Sequence, residues 1–203
     1  LNQDNRDNPL DPRNGSMIIF RLDAYGGPLG GNRSYTKYNF DLRNYITLFK
    51  HITLASRING GVISGWSSDY DKYETILFEK FYLGGSNTLR AIRPLRLLNN
   101  SNDRFDNDSD GLIDEEDEDS NIPSGKEIMA LTNVEARFPL VLGLGGVLFV
   151  DGGNIYSESK NISFDSLVWN YGIALTLKLP VGPIRVDYAL DSKNPKIYQI
   201  QLG

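Results

Sequence analysis

The sequence predicts an all-β fold, an antiparallel transmembrane β-barrel. Three observations point to it. Side-chain polarity alternates with a period of two almost throughout. The alternating runs are about ten residues long, beyond the usual ~5–6 of soluble strands and matched to a tilted membrane strand of ~9–11. Short links alternate with longer ones, the habit of outer-membrane barrels. No apolar run approaches the ~20 residues that a membrane-spanning helix needs.

The first run is Met17–Tyr25, where Ile18, Phe20, Leu22 and Ala24 share one face and Arg21 and Asp23 the other. In Tyr38–Ile46, Tyr38, Phe40 and Leu42 alternate with Asn39, Asp41 and Arg43. In His51–Gly60, Ile52, Leu54 and Ile58 alternate with His51, Thr53 and Arg57. A long connection then runs from about Gly65 to Lys126. In Ile128–Phe138, Ile128, Ala130, Val134, Ala136 and Phe138 oppose Asn133, Glu135 and Arg137. Gly145–Tyr156 follows. Leu167–Leu179 sets Trp169, Tyr171, Ile173, Leu175 and Leu177 against Asn170, Gly172, Ala174, Thr176 and Lys178. In Gly182–Leu190, Ile184, Val186, Tyr188 and Leu190 oppose Arg185 and Asp187. In Lys196–Leu202, Tyr198, Ile200 and Leu202 oppose Gln199 and Gln201. That makes about eight strands. Periodicity does not say which face is inside, so a soluble sandwich or barrel stays open. Full charges on the polar face suit a wet lumen. Aromatics near strand ends (Tyr25, Tyr45, Phe49, Trp66, Tyr156, Trp169) suit interfacial girdles.

Composition excludes several chemistries. The 203 residues contain no Cys and a single His, His51. Disulfide scaffolds and thiolate metal sites are out, and a Ser-His-Asp triad or multi-His zinc site is disfavoured. No carboxylate pair is placed for hydrolysis, and no enzyme is expected. The net charge of −5 misleads until it is divided. Ten of the 26 acidic residues lie in 103–119, beside Arg104 alone, which leaves 20 basic against 16 acidic residues elsewhere. Those charges are scattered, not clustered as a nucleic-acid surface requires, so no nucleic-acid partner is expected. The chain begins at Leu1 with no signal peptide, which reads as a processed product or a fragment.

Two motifs lie in the long loop insert, 66–125. The first is FEKFYLGGSNTLRAI, Phe78–Ile92. Gly84 and Gly85 permit a tight backbone path. Arg90 is either a solvated surface arginine or the tip of a loop folded into the lumen, where a guanidinium fork pairs with carboxylates. Glu135 and Asp151 are the candidate partners. The second is DNDSDGLIDEED, Asp106–Asp117. Asp106, Asp108 and Asp110 stand at positions 1, 3 and 5 of a calcium loop, with Gly111 at the turn. Leu112 offers its carbonyl at 7, Asp114 stands at 9 and Asp117 at 12, where Glu is commoner. The segment is either a calcium site or an acidic solvated loop.

Five blocks, in order, resemble the C-terminal half of a BamA/TamA-type outer-membrane barrel of the bacterial surface antigen superfamily. DNRDNPLDPRNG (Asp4–Gly15) resembles a periplasmic turn of that family. FEKFYLGGSNTLRAI resembles the start of its long sixth extracellular loop. TNVEARFPL (Thr132–Leu140) and LFVDGGNIY (Leu148–Tyr156) resemble the two strands after it, and GIALTLKLPVGPIRVDYAL (Gly172–Leu190) the next hairpin. Ala91 and Ile92 depart from the Gly and aromatic residue that the family prefers after the tip arginine. The end at Gly203 lacks the family's terminal aromatic signature, so a few residues are expected to follow.

The resemblance implies that residues 1–203 are the last eight or so strands of a sixteen-strand barrel. Arg90 would be the lumenal tip arginine, Glu135 and Asp151 its partners, and Gly84 and Gly85 the shapers of the return. Tyr198, Ile200 and Leu202 would lie on a lateral seam strand that templates incoming strands. The implied function is assembly and insertion of outer-membrane β-barrel proteins. The implied partners are outer-membrane lipid, unfolded client proteins, an N-terminal half barrel, POTRA repeats and accessory lipoproteins. The alternatives are the barrel of a two-partner secretion or patatin-type transporter of the same superfamily, or a self-contained eight-strand structural or binding barrel.

Overall fold

The computed structural model describes residues 1–26, 34–49, 51–65, 79–92, 125–141, 143–157, 159–179 and 182–191. They form one antiparallel sheet of eight strands in chain order. The strands are β1 (Asn2–Asp4), β2 (Gly15–Tyr25), β3 (Tyr35–Leu48), β4 (Ile52–Gly65), β5 (Ile128–Pro139), β6 (Leu144–Tyr156), β7 (Val168–Leu179) and β8 (Gly182–Asp191). Each strand pairs with its sequence neighbours, as in an up-and-down barrel wall. β2 to β8 coincide with the first seven predicted runs. β1 is an addition, because Asp4 ends a short strand paired to Met17 before the turn begins. The predicted Lys196–Leu202 strand lies outside the described residues.

The two faces settle which side meets which solvent. Large apolar side chains such as Phe20, Phe40, Leu54, Leu148, Ile173 and Val186 stand exposed. The opposite face buries Asp41, Glu135, Asp151, Asn170 and Asp187. A water-soluble sheet would reverse this, since burying apolar surface drives its folding. The arrangement is that of a barrel with lipid outside and a polar interior.

The aromatic residues divide differently from the expected girdle. Tyr25 pairs with Tyr35 across β2 and β3, and their rings stack 4.6 Å apart on the polar face. Tyr45 shares the face of Asp41 and Arg43 and is buried. Each stands an even number of positions from the polar-face charges of its strand, and the pleat decides its direction. Trp169 lies on the apolar face, where Phe164 packs against it at 5.2 Å, while Trp66 lies outside the described residues.

Residues 79–92 fold back over the polar face. Their apolar side chains complete a cluster of Phe81, Leu83 and Leu89 with Ile63, Leu131 and Ile155. A backbone bridge between Phe81 and Lys126 joins the outgoing and returning arms of the loop. The loop packs tightly on the wall at Gly61: a Cβ there would stand 2.2 Å from the Phe81 ring.

Candidate functional site

The loop tip turns at Gly84 and Gly85, whose φ angles of 114° and 93° are costly for any residue with a Cβ. The Gly85 N–H donates to the Ile92 carbonyl at 2.8 Å, and Thr88 Oγ1 accepts from the Gly84 N–H at 2.9 Å. These bonds close residues 84–92 into a compact loop. Leu83 and Leu89 are fully buried and anchor it.

The closure delivers Arg90 to the wall, where it is 4% exposed. Its Nε donates to Asp151 Oδ2 at 2.8 Å and its Nη2 to Asp151 Oδ1 at 2.5 Å. Its Nη1 donates to Glu135 Oε1 at 2.5 Å. The structure thus brings together Arg90, Glu135 and Asp151, and Gly84 and Gly85 shape the turn that precedes them. Burial would lower the pKa of the guanidinium. The Asp151 hydrogen bond, with the charges of Asp151 and Glu135, outweighs it and lifts the pKa above the ordinary arginine value.

The site extends past the predicted residues. Register places Ala55, Glu135, Phe149, Gly172 and Ala189 side by side on β4 to β8. The Phe149 ring lies beneath Arg90, with the guanidinium carbon 3.6 Å from its centroid, a cation–π contact. Gly172 makes room for that ring: a Cβ there would stand 2.6 Å from Phe149 Cζ and 2.1 Å from the Tyr188 carbonyl. Glu135 also accepts from Arg185 Nη1 at 2.9 Å and Arg137 Nε at 2.8 Å. Arg185 Nε in turn donates to Asp187 at 2.6 Å. Three arginines therefore meet three carboxylates, so the cluster is formally neutral, as its buried members Arg90, Glu135, Asp151 and Asp187 demand. Each carboxylate is engaged by a guanidinium, which suits holding a loop in place and not moving a proton. Asp187 Oδ2 and Arg185 Nη2 are buried with no hydrogen-bond partner among the described residues.

Sequence reading missed Arg137, Phe149, Arg185 and Asp187 as members of this site. One signal was available for Phe149: it is a large apolar residue at a polar-face position. The calcium-loop positions Asp106, Asp108, Asp110, Leu112, Asp114 and Asp117 lie outside the described residues. So do Tyr198, Ile200 and Leu202.

A family model described as the Omp85 superfamily domain matches residues 1–203. The chain belongs to the Omp85 superfamily. It is 27% identical over 189 residues to the outer membrane protein assembly factor BamA of Nitratidesulfovibrio vulgaris, covering 92% of this chain and 21% of that protein. It superposes with a TM-score of 0.73 on the crystal structure of BamA from Haemophilus ducreyi lacking POTRA domains 1–3. That match has 16% identity and covers 99% of this chain and 39% of the other, so it speaks for the fold. The chain spans about a fifth of the curated relative it matches. Omp85 membership places it in the outer membrane, and the fold match makes it part of a transmembrane β-barrel.

Proposed function

We propose that this chain is the C-terminal barrel portion of a factor that assembles and inserts outer-membrane β-barrel proteins. The observation that carries the proposal is the Arg90 tip, seated on Glu135 and Asp151 inside a sheet whose apolar face looks outward. Family membership and the assembly-factor name of its curated relative support the same reading. In it, the seated loop holds the wall in one shape while the seam carrying Tyr198, Ile200 and Leu202 opens to template an incoming strand by β-augmentation. The clients are unfolded outer-membrane proteins. POTRA repeats and accessory lipoproteins would deliver them. An N-terminal half barrel closes the wall, because unpaired edge groups cost several kcal/mol each in lipid. No catalytic step is proposed.

The test is complementation in a strain depleted of the native full-length protein. Arg90→Ala is expected to fail where Arg43→Ala, an arginine on the same face away from the tip, supports growth. Normal growth and client levels with Arg90→Ala would reject the proposal. Secretion of a single cognate substrate, with bulk outer-membrane protein levels unchanged on depletion, would favour a two-partner secretion transporter instead.

We also infer from residue spacing that Asp106, Asp108, Asp110, Asp114 and Asp117, with the Leu112 carbonyl, hold calcium at the cell surface. Calorimetry at millimolar calcium is expected to show uptake by the full-length protein and none after Asp106→Ala with Asp110→Ala. No uptake by the unmodified protein would reject the site.

A further inference from the structure

The loop tip touches more than the two carboxylates, and the additional contacts follow a pattern. Register makes Arg57, Asn133, Asp151 and Asn170 direct cross-strand neighbours on β4, β5, β6 and β7. They form one row across the polar face. The tip lies along that row and meets it in chain order. Arg57 Nη1 donates to the Asn87 carbonyl at 2.7 Å. Asn133 Nδ2 donates to the Thr88 carbonyl at 2.8 Å. The Arg90 N–H donates to Asp151 Oδ2 at 3.3 Å. With the Asn170 carboxamide turned so that its oxygen faces the loop, that oxygen accepts from the Ala91 N–H at 3.2 Å, and its nitrogen donates to the Trp169 carbonyl at 3.1 Å.

Every one of these four contacts is made to loop backbone. We propose that the row is a backbone-reading cradle, in which Arg57, Asn133 and Asn170 are positioning residues for the tip. Donors on β4 and β5 meet carbonyls, and acceptors on β6 and β7 meet N–H groups, so the row fixes both the direction and the register of the crossing chain. Asn133 is committed to its donor orientation. Its Nδ2 also donates to Asp151 Oδ1 at 2.8 Å, and its Oδ1 is buried with no partner among the described residues. Turning the amide would set that oxygen against two acceptors. Arg57 is held from behind, with Nε and Nη2 both on Asp41, which leaves Nη1 for the loop.

The cradle explains how Ala91 is accommodated. The row reads its N–H, and its methyl group packs among Val147, Phe149, Ala174 and Ala189. Side-chain identity enters through Arg90, while position is set through the backbone.

The inference rests on the loop being held against the wall as proposed above. The test is amide exchange on the full-length protein in detergent, following a peptide that spans 84–92. Asn133→Ala and Asn170→Ala are each expected to speed tip exchange about fivefold, the worth of about one net hydrogen bond, with β5 and β7 peptides unchanged. Asn87→Ala is expected to change nothing, because its carbonyl survives the substitution. If a row variant does not fold, Arg57→Met at the more open end of the row makes the same test. Tip exchange unchanged in the row variants but faster in Arg90→Gln would overturn the cradle and leave the seat intact. Unchanged exchange in all of them would overturn both.

Discussion

Two ion clusters occupy the same polar face and are built with opposite polarity. At the loop tip a cation, Arg90, sits between two carboxylates, Glu135 and Asp151, over the Phe149 ring. On β3 and β4 an anion, Asp41, sits between two cations, Arg43 and Arg57, each at 2.8 Å. The first cluster is enclosed. In the second, the Arg43 side chain keeps 32% of its surface exposed. The first joins residues 45 and 61 positions apart, on separate elements. The second joins neighbours that the β3–β4 ladder already holds. Losing Arg90 should therefore matter greatly in the first cluster, and losing Arg43, which touches no described loop atom, little in the second.

Arg90→Ala is the strongest way to break this contrast. It leaves Glu135 with two other arginines and strands Asp151, and unpairing a buried ion typically costs ~3–5 kcal/mol. Limited proteolysis of the full-length protein should show the loop cut readily, with the barrel still folded. Gly172→Ala comes next. The added Cβ collides with a backbone carbonyl and with the Phe149 ring, and overpacking of this kind costs ~1–3 kcal/mol. Its denaturation midpoint in detergent should fall, and loop protection with it. Phe149→Leu keeps the apolar volume and removes the ring face beneath Arg90. A loss of about 1–2 kcal/mol in loop protection is expected, with the barrel midpoint little changed. Arg43→Ala should shift neither readout by more than about 1 kcal/mol, since Asp41 retains Arg57 and the partly exposed Arg43 side chain is screened by solvent.

The smallest effect belongs to the turn between β1 and β2. The Asp7 carboxylate accepts from the backbone N–H of Arg13 and of Asn8. The Arg13 bond, followed by one from Asn14, holds its pKa below the ordinary value. A group with a lowered folded-state pKa contributes above its unfolded pKa and loses that contribution as pH falls through the folded value. Turn order should therefore persist at neutral pH and relax in acid below the ordinary aspartate range. Asp7→Asn should remove that acid-dependent change in amide exchange of residues 5–14.

Strand placement was legible because the barrel imposes alternation on every strand, and most positions from Ile18 to Leu190 obey it. The pairing of Arg90 with Glu135 and Asp151 was reachable through family order, since register is invisible in one sequence. Alternation also failed informatively. Ile63, Leu131, Phe149 and Ile155 are apolar residues on the polar face, and they mark where the returning loop lies. Read alone they look like noise, because nothing local says that a distant segment will cover them. Tyr25 and Tyr45 misled for a related reason. Nearness to a strand end suggested an interfacial role, while the pleat turns both inward. The backbone contacts of Asn133 and Asn170 leave no sequence signature at all, since their partners are main-chain atoms.

Above all, Arg90 and Asp151 hold the loop tip inside the barrel. A double-mutant cycle on the full-length protein tests it most directly. Arg90→Gln, Asp151→Asn and the double variant would be compared by amide exchange across 84–92. A coupling of about 2–3 kcal/mol is expected, near the upper end for residues in direct contact. Additive effects, with coupling near zero, would contradict it.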